Sequence, residues 1–184
     1  VYARSDRRTG VHKAPANELL EGALDIGVNL TDAEQAHLNQ AGINCLRERP
    51  GWGIRVWGAR TLSDHPESRY VNVTRVMLTF RRWLEHNLRD LVFEPHDPAL
   101  WAAIEERVSG YLRGLYRDGA LKGHDTSEAF FVKCNAETNS AEGRDAGTVL
   151  AVAGLAIVVP AEFVIVRITQ SANGVTVSGP ATQV

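Results

Sequence analysis

The residues best suited to chemistry in this 184-residue chain are two cysteines, six histidines and a few neighbouring carboxylates. A thiolate beside an imidazole makes a nucleophile, and two thiols within reach make a redox pair. Cys45 and Cys134 meet neither pattern: each stands alone in an apolar-flanked stretch, so both are expected to be buried, inert thiols. Two such isolated cysteines also exclude a disulfide scaffold and a CxxC-type metal or redox site. His65 follows Asp64 and His96 precedes Asp97, pairings that suggest acid–base work or metal ligation. Adjacent side chains point apart, however, and both pairs sit in turn sequences beside Pro66 and Pro95, so loop and capping roles are expected. Glu105 and Glu106 are consecutive on a helix and cannot face each other. Gly51-x-Gly53 has no third glycine at the right spacing, is expected to follow no strand, and opens a strand rather than a helix, so it is no dinucleotide loop. GxSxG, HExxH and GxxxxGK[ST] do not occur. No catalytic residue, cofactor-binding residue or metal site is expected.

The elements that would position any such residue can be read from periodicity. Residues 1–30 show none and are read as an arm or connector with a short strand or two. Thr31-Asp32-Ala33-Glu34 is a capping box, and Gly42 suits the position just past a helix over about 32–41. Gly51-Trp52-Gly53 is a turn into a strand carrying Ile54, Val56 and Ala59. Val73, Val76, Met77, Phe80, Leu84, Leu88 and Leu91 recur every three or four residues, which predicts a long helix over 72–91. Asp97-Pro98 opens a second, with Leu100, Trp101, Ile104, Val108, Tyr111, Leu112 and Leu115 on its apolar face and Gly119 at its end. Strands are expected over 129–134, 148–159 and 162–169, the last two as a hairpin, with a short strand over 175–177 and a long polar loop over 135–147. The stretch 148–159 is apolar on both faces and should be covered on both. The order predicts an α+β fold: two long amphipathic helices packed on a mixed, mainly antiparallel sheet, with an extended terminal arm.

Composition narrows the function. The chain is 44% hydrophobic and 23% charged, ordinary for a globular protein, and its net charge of -2 gives no reason to expect nucleic acid or an anionic membrane as partner. No signal peptide and no apolar run long enough for direct membrane insertion is read. The charges are uneven. From Ala146 to Val184 only Glu162 and Arg167 are charged. So apolar a tail must be buried, paired as strands or sticky, and its edges suit strand addition by a neighbouring subunit.

Gly53-Ile-Arg-Val-Trp-Gly-Ala-Arg-Thr-Leu-Ser63 resembles the C-terminal region of tail sheath proteins from contractile phages and phage-tail-like contractile injection systems. Segments 10–17, 70–72, 93–95 with Leu100-Trp101, 118–121, 129–135, 145–147 and 160–163 resemble the same family in the same order. The resemblance runs to about Gln170 and implies 1–30 as a connector, 31–170 as the inner, tube-proximal domain and 171–184 as an arm, with the family's upstream domains absent from this chain, which starts with Val. It implies a homo-oligomer of hexameric rings stacked helically around an inner tube protein, with baseplate and cap proteins as further partners and no cofactor. Contraction would drive the tube through a target envelope, and assembly would occur in the bacterial cytoplasm. Arms would exchange strands between subunits; Val164, Val166, Ile168, Val175, Thr176 and Val177 are the candidates here. Arg107, Arg113 and Arg117 on the second long helix are the candidates to face the tube. The alternatives are a baseplate or terminator protein of such a particle and an enzyme using Cys134 or the His65 and His96 loops.

Overall fold

A computed structural model describes residues 1–162 in full and the backbone of 167–171 and 174–178. The two long helices form as their stripes require. α3 spans Val71–Asn87 and α4 spans Pro98–Arg117. α4 starts where Asp97 accepts a hydrogen bond from the Leu100 amide at 2.9 Å, with Pro98 in the first turn, where no amide donor is needed. Phe80, Leu100, Trp101, Ile104, Val108, Leu112 and Cys134 make the main core, and Phe130, Val132 and Leu155 of a two-stranded sheet pack on it. Tyr111 stacks with both Phe80 and Trp83, ring centroids 5.8 and 4.3 Å away. α3 ends earlier than its stripe suggests, at Asn87, and continues as a single 3-10 turn, Arg89–Leu91. Met77 is not in the core; it is 46% exposed, and Asn72 takes a buried place instead.

The polar elements also follow local rules. α2, Asp32–Gln40, carries the complete capping box: the Thr31 side chain accepts from the Glu34 amide while the Glu34 carboxylate accepts from the Thr31 amide at 2.8 Å. Gly42, at φ 78°, sits with its Cα against the Thr61 carbonyl, where a Cβ would collide. Two short helices not expected from the sequence appear before and after the core: α1, Tyr2–Arg8, and α6, Ala141–Asp145, the latter inside the stretch read as a polar loop. α6 is capped by Ser140, a signal visible in the sequence but too short-ranged to stand out. A single helical turn, α5 (Thr126–Ala129), leads into the following strand.

All strand pairs among the described residues are antiparallel. β1 (Glu18–Leu19), β3 (Gly53–Trp57) and β2 (Cys45–Arg49) form one sheet in that order. β2 corrects the expectation that no strand precedes Gly51-x-Gly53: the glycines close a β2–β3 hairpin. Arg47, Glu48 and Arg49 hid it, because charges on an edge strand mimic a loop. The larger correction concerns the C-terminal half. Among the described residues, 148–159 makes no hairpin with 162–169. Its strand β5, Val152–Leu155, pairs with β4, Phe130–Lys133. Residues 156–158 then run along 120–122, with Leu121 bridging Ile157. Pairing with distant segments buries Ile157 and part-buries Leu155 against the helices, a gain that a local hairpin would not give. β6 (Arg167–Ser171) instead pairs with β7 (Gly174–Ser178), Ile168 opposite Val177.

One buried side chain ties three remote segments together. Asn72, at the start of α3, donates to the His12 carbonyl at 2.9 Å and to the Val158 carbonyl at 3.0 Å. The Asp6 carboxylate receives both terminal nitrogens of Arg75, and Arg8 and Arg4 reach the buried Glu18 carboxylate of β1. The N-terminal residues are thus strapped to α3.

Candidate assembly surface

The stretch expected to be covered on both faces is covered on one. Leu150, Val152 and Val159 are 54, 40 and 51% exposed, and Phe131 of β4 is 57% exposed. The Phe131 ring lies over the Cα of Gly154 on β5, its cross-strand partner, in the space a Cβ would fill. β4 and β5 have no further strand partner among the described residues, so the sheet offers unpaired edges beside an exposed apolar face. Further apolar side chains stand in water on the connections: Leu24 and Val28 before α2, Leu62 after β3, and Val92 and Phe93 between the long helices. Phe93 does so at φ 73°, a conformation that favours glycine. Single exposed hydrophobics are ordinary; Phe131 and Val152 differ in standing on a sheet with no further strand partner among the described residues.

Of the strand-exchange candidates, Ile168, Val175, Thr176 and Val177 fall on the β6–β7 hairpin, and Val164 and Val166 lie outside the described residues. Each strand of the hairpin has one partner among the described residues.

The three α4 arginines are not equivalent. Arg107 donates to the Asn87 carbonyl at 2.7 Å and to the Asp90 carboxylate at 2.6 and 2.8 Å, and its hydrogen bond, more than its charge, holds Asp90 below the usual carboxylate range. Arg113 and Arg117 are exposed one turn apart and make no salt bridge among the described residues.

One polar cluster lay outside the sequence reading. Glu162 accepts from Arg60 at Nε (3.0 and 3.1 Å) and at a terminal nitrogen (2.5 Å), and from the Tyr70 hydroxyl at 3.4 Å. Both side chains of the ion pair are about five-sixths buried, at 16 and 15% exposure. Burial alone would raise the Glu162 pKa; the Arg60 hydrogen bonds and charge outweigh it and the carboxyl is held low. A signal was present: an isolated charge in an apolar tail needs a partner.

The residues weighed for chemistry are scattered. Cys45 is buried at the start of β2 and Cys134 in the helical core, where burial raises its thiol pKa. His65 is exposed in the turn before α3, and the His96 ring stands edge-on to Trp101, centroids 5.7 Å apart. The Glu105 carboxylate accepts from the Cys134 amide at 3.3 Å while Glu106 is exposed, so the two carboxylates serve different neighbours. Among the described residues no group of three or more His, Cys, Asp or Glu could hold a metal ion.

Comparison with known proteins places the chain among relatives. A tail sheath protein of Burkholderia phage BcepMu is 30% identical over 133 residues, covering 67% of this chain and 28% of that protein. The PVC sheath complex of an extracellular contractile injection system, in its contracted state, contains a chain 37% identical with a TM-score of 0.88, covering 94% of this chain and 49% of that one. A chain of the anti-feeding prophage baseplate is 36% identical with a TM-score of 0.87, covering 92% of this chain and 48% of that one. This chain thus spans about half the length of the solved relatives. The model of the phage tail sheath protein central domain matches residues 1–62 and that of the phage tail sheath C-terminal domain matches 63–171, so the chain belongs to the phage tail sheath protein family.

Proposed function

We propose that this chain is the inner part of a structural subunit that polymerises into the contractile sheath of a phage tail or tail-like particle. The observation that carries the reading is the combination of a covered helical core with a β4–β5 sheet whose apolar face and strand edges have no cover within the described chain. Copies arranged as stacked hexameric rings would supply that cover, and arms from neighbouring copies, including the β6–β7 segment, would pair with open edges. Ile168, Val175, Thr176 and Val177, with Val164 and Val166, remain the candidates for that exchange. Arg113 and Arg117 remain candidates for the inner tube, since exposed charge contacts separate at small cost when the sheath must let go; Arg107 is engaged by Asp90 and would contribute less. The subunit would do no chemistry of its own, bind no cofactor, and assemble in the cytoplasm of the producing cell with tube, baseplate and cap proteins.

The similarity to a baseplate-complex chain supports a second reading, a sheath-fold ring at the baseplate. Electron microscopy of particles carrying the full-length protein separates the two. Hollow, helically ribbed tubes built from this chain are expected; a single ring would support the baseplate reading, and monomers would overturn both.

A further inference from the structure

We infer that Arg60 is a positioning residue for assembly: by gripping Glu162 it sets the point and direction in which the C-terminal segment leaves the body of the subunit. The inference rests on the sheath reading above and goes beyond it, because it names what holds the arm.

Consider how the last part of the body is held. Backbone hydrogen bonds secure it as far as Val158: Ala156 donates to the Ala129 carbonyl at 2.9 Å, Lys122 to the Ala156 carbonyl at 2.6 Å and Val158 to the Ala120 carbonyl at 3.0 Å. Among the described residues no backbone hydrogen bond reaches 159–161, and Val159 is exposed. The next hold is the Glu162 side chain. Between it and Val184 there is a single charged side chain, Arg167, and no further carboxylate side chain to serve as an anchor.

Arg60 is built to be immobile. The Asn44 side chain clasps its backbone on both sides, donating to the Arg60 carbonyl at 2.7 Å and accepting from its amide at 2.9 Å. Gly58 permits that approach, since a Cβ there would lie 2.6 Å from the Asn44 Oδ1. Arg60 bridges Tyr70 by backbone, and its guanidinium also donates to the Asn39 carbonyl at the end of α2 at 3.2 Å. The planar fork spans both Glu162 oxygens, a geometry that fixes direction as well as distance. The clasp joins residues 102 apart in sequence, one in each of the two matched family domains.

Positioning matters because strand addition is register-sensitive. A slip of one residue turns every side chain to the wrong face, and the concentration of an arm at its target edge depends on where its tether starts. A departure point fixed by a rigid fork narrows both.

The test uses the full-length protein and four variants: Arg60→Glu, Glu162→Arg, the double exchange, and Arg60→Lys. Amide hydrogen exchange is followed at 156–162 and in α3–α4, with polymer length by electron microscopy. Each single charge reversal is expected to speed exchange at 156–162 by about tenfold or more while α3–α4 stay protected, and to shorten or abolish the polymer. The double exchange restores both, and lysine, which lacks the fork, restores them only in part. Single variants that polymerise like the parent overturn the inference. So does loss of α3–α4 protection, which would make Arg60 a general fold residue, and so does a folded double exchange that fails to recover. Should the parent itself not polymerise, the sheath reading fails, while exchange at 156–162 still decides whether Arg60 holds the segment.

Discussion

Asp6 and Arg75 show how one ion pair does a structural job. Their side chains are 25 and 26% exposed, and the Tyr2 ring lies 5.1 Å from the Arg75 guanidinium, so α1 is fastened to α3 by charge and by stacking together. The Arg75 hydrogen bond lowers the Asp6 pKa below its ordinary 3.8. A carboxyl depressed in the folded state contributes stability at pH values above its unfolded pKa and loses it as pH falls through the folded value. The stability difference between the parent and Asp6→Asn is therefore expected to be present at neutral pH and to shrink under acid, below about pH 4. Urea unfolding midpoints across that range would show it, and a difference that does not change with pH would overturn the assignment. At this scale the sequence was a partial guide. It marked Cys45 and Cys134 as buried, and both are. It did not pair Asp6 with Arg75 or Arg60 with Glu162, because partners 69 and 102 residues apart leave no local pattern.

Elements whose stabilising contacts are local were the legible ones. α2 has a weak apolar face, and its start rests on the capping box, in which Thr31 and Glu34 satisfy each other's amides. Thr31→Ala is expected to cost about 1 kcal/mol, seen as a lower urea midpoint with an unchanged slope; an effect within error would mean that β2 contacts, not the cap, hold α2. α3 and α4 were legible because their stripes repeat over several turns. The strands were less so. β2 is charged and short, and β5 found its partner in β4, on the far side of α6, rather than in the segment that follows it. Strand pairing is decided between segments, so apolar content indicates that a strand exists without saying what it pairs with.

For the whole molecule, the question is which surface meets which partner. If Arg113 and Arg117 face the inner tube, reversing both to Glu should impair tube-filled sheath formation while empty sheath still assembles. Arg107→Glu, which breaks the intramolecular contact with Asp90, should instead lower the stability of the subunit. Counting tube-filled and empty sheaths by electron microscopy separates the outcomes, and no change in filling on the double reversal removes both arginines from the tube contact. By itself the sequence determined the α+β class, the two long helices with their core stripes, the Asp97 cap of α4 and the capping box of α2, and, through ordered motifs from Gly10 to Phe163, the resemblance to tail sheath proteins. These are carried by local hydrogen-bond rules and by periodicities of a few residues. Only the tertiary structure decided that the N-terminal residues are strapped to α3, that β5 pairs with β4, that Arg107 is engaged while Arg113 and Arg117 are exposed, and that Glu162 is gripped by Arg60. Each of these joins groups far apart in the chain, and which of several chemically equivalent partners they meet depends on how the packed core brings the segments together.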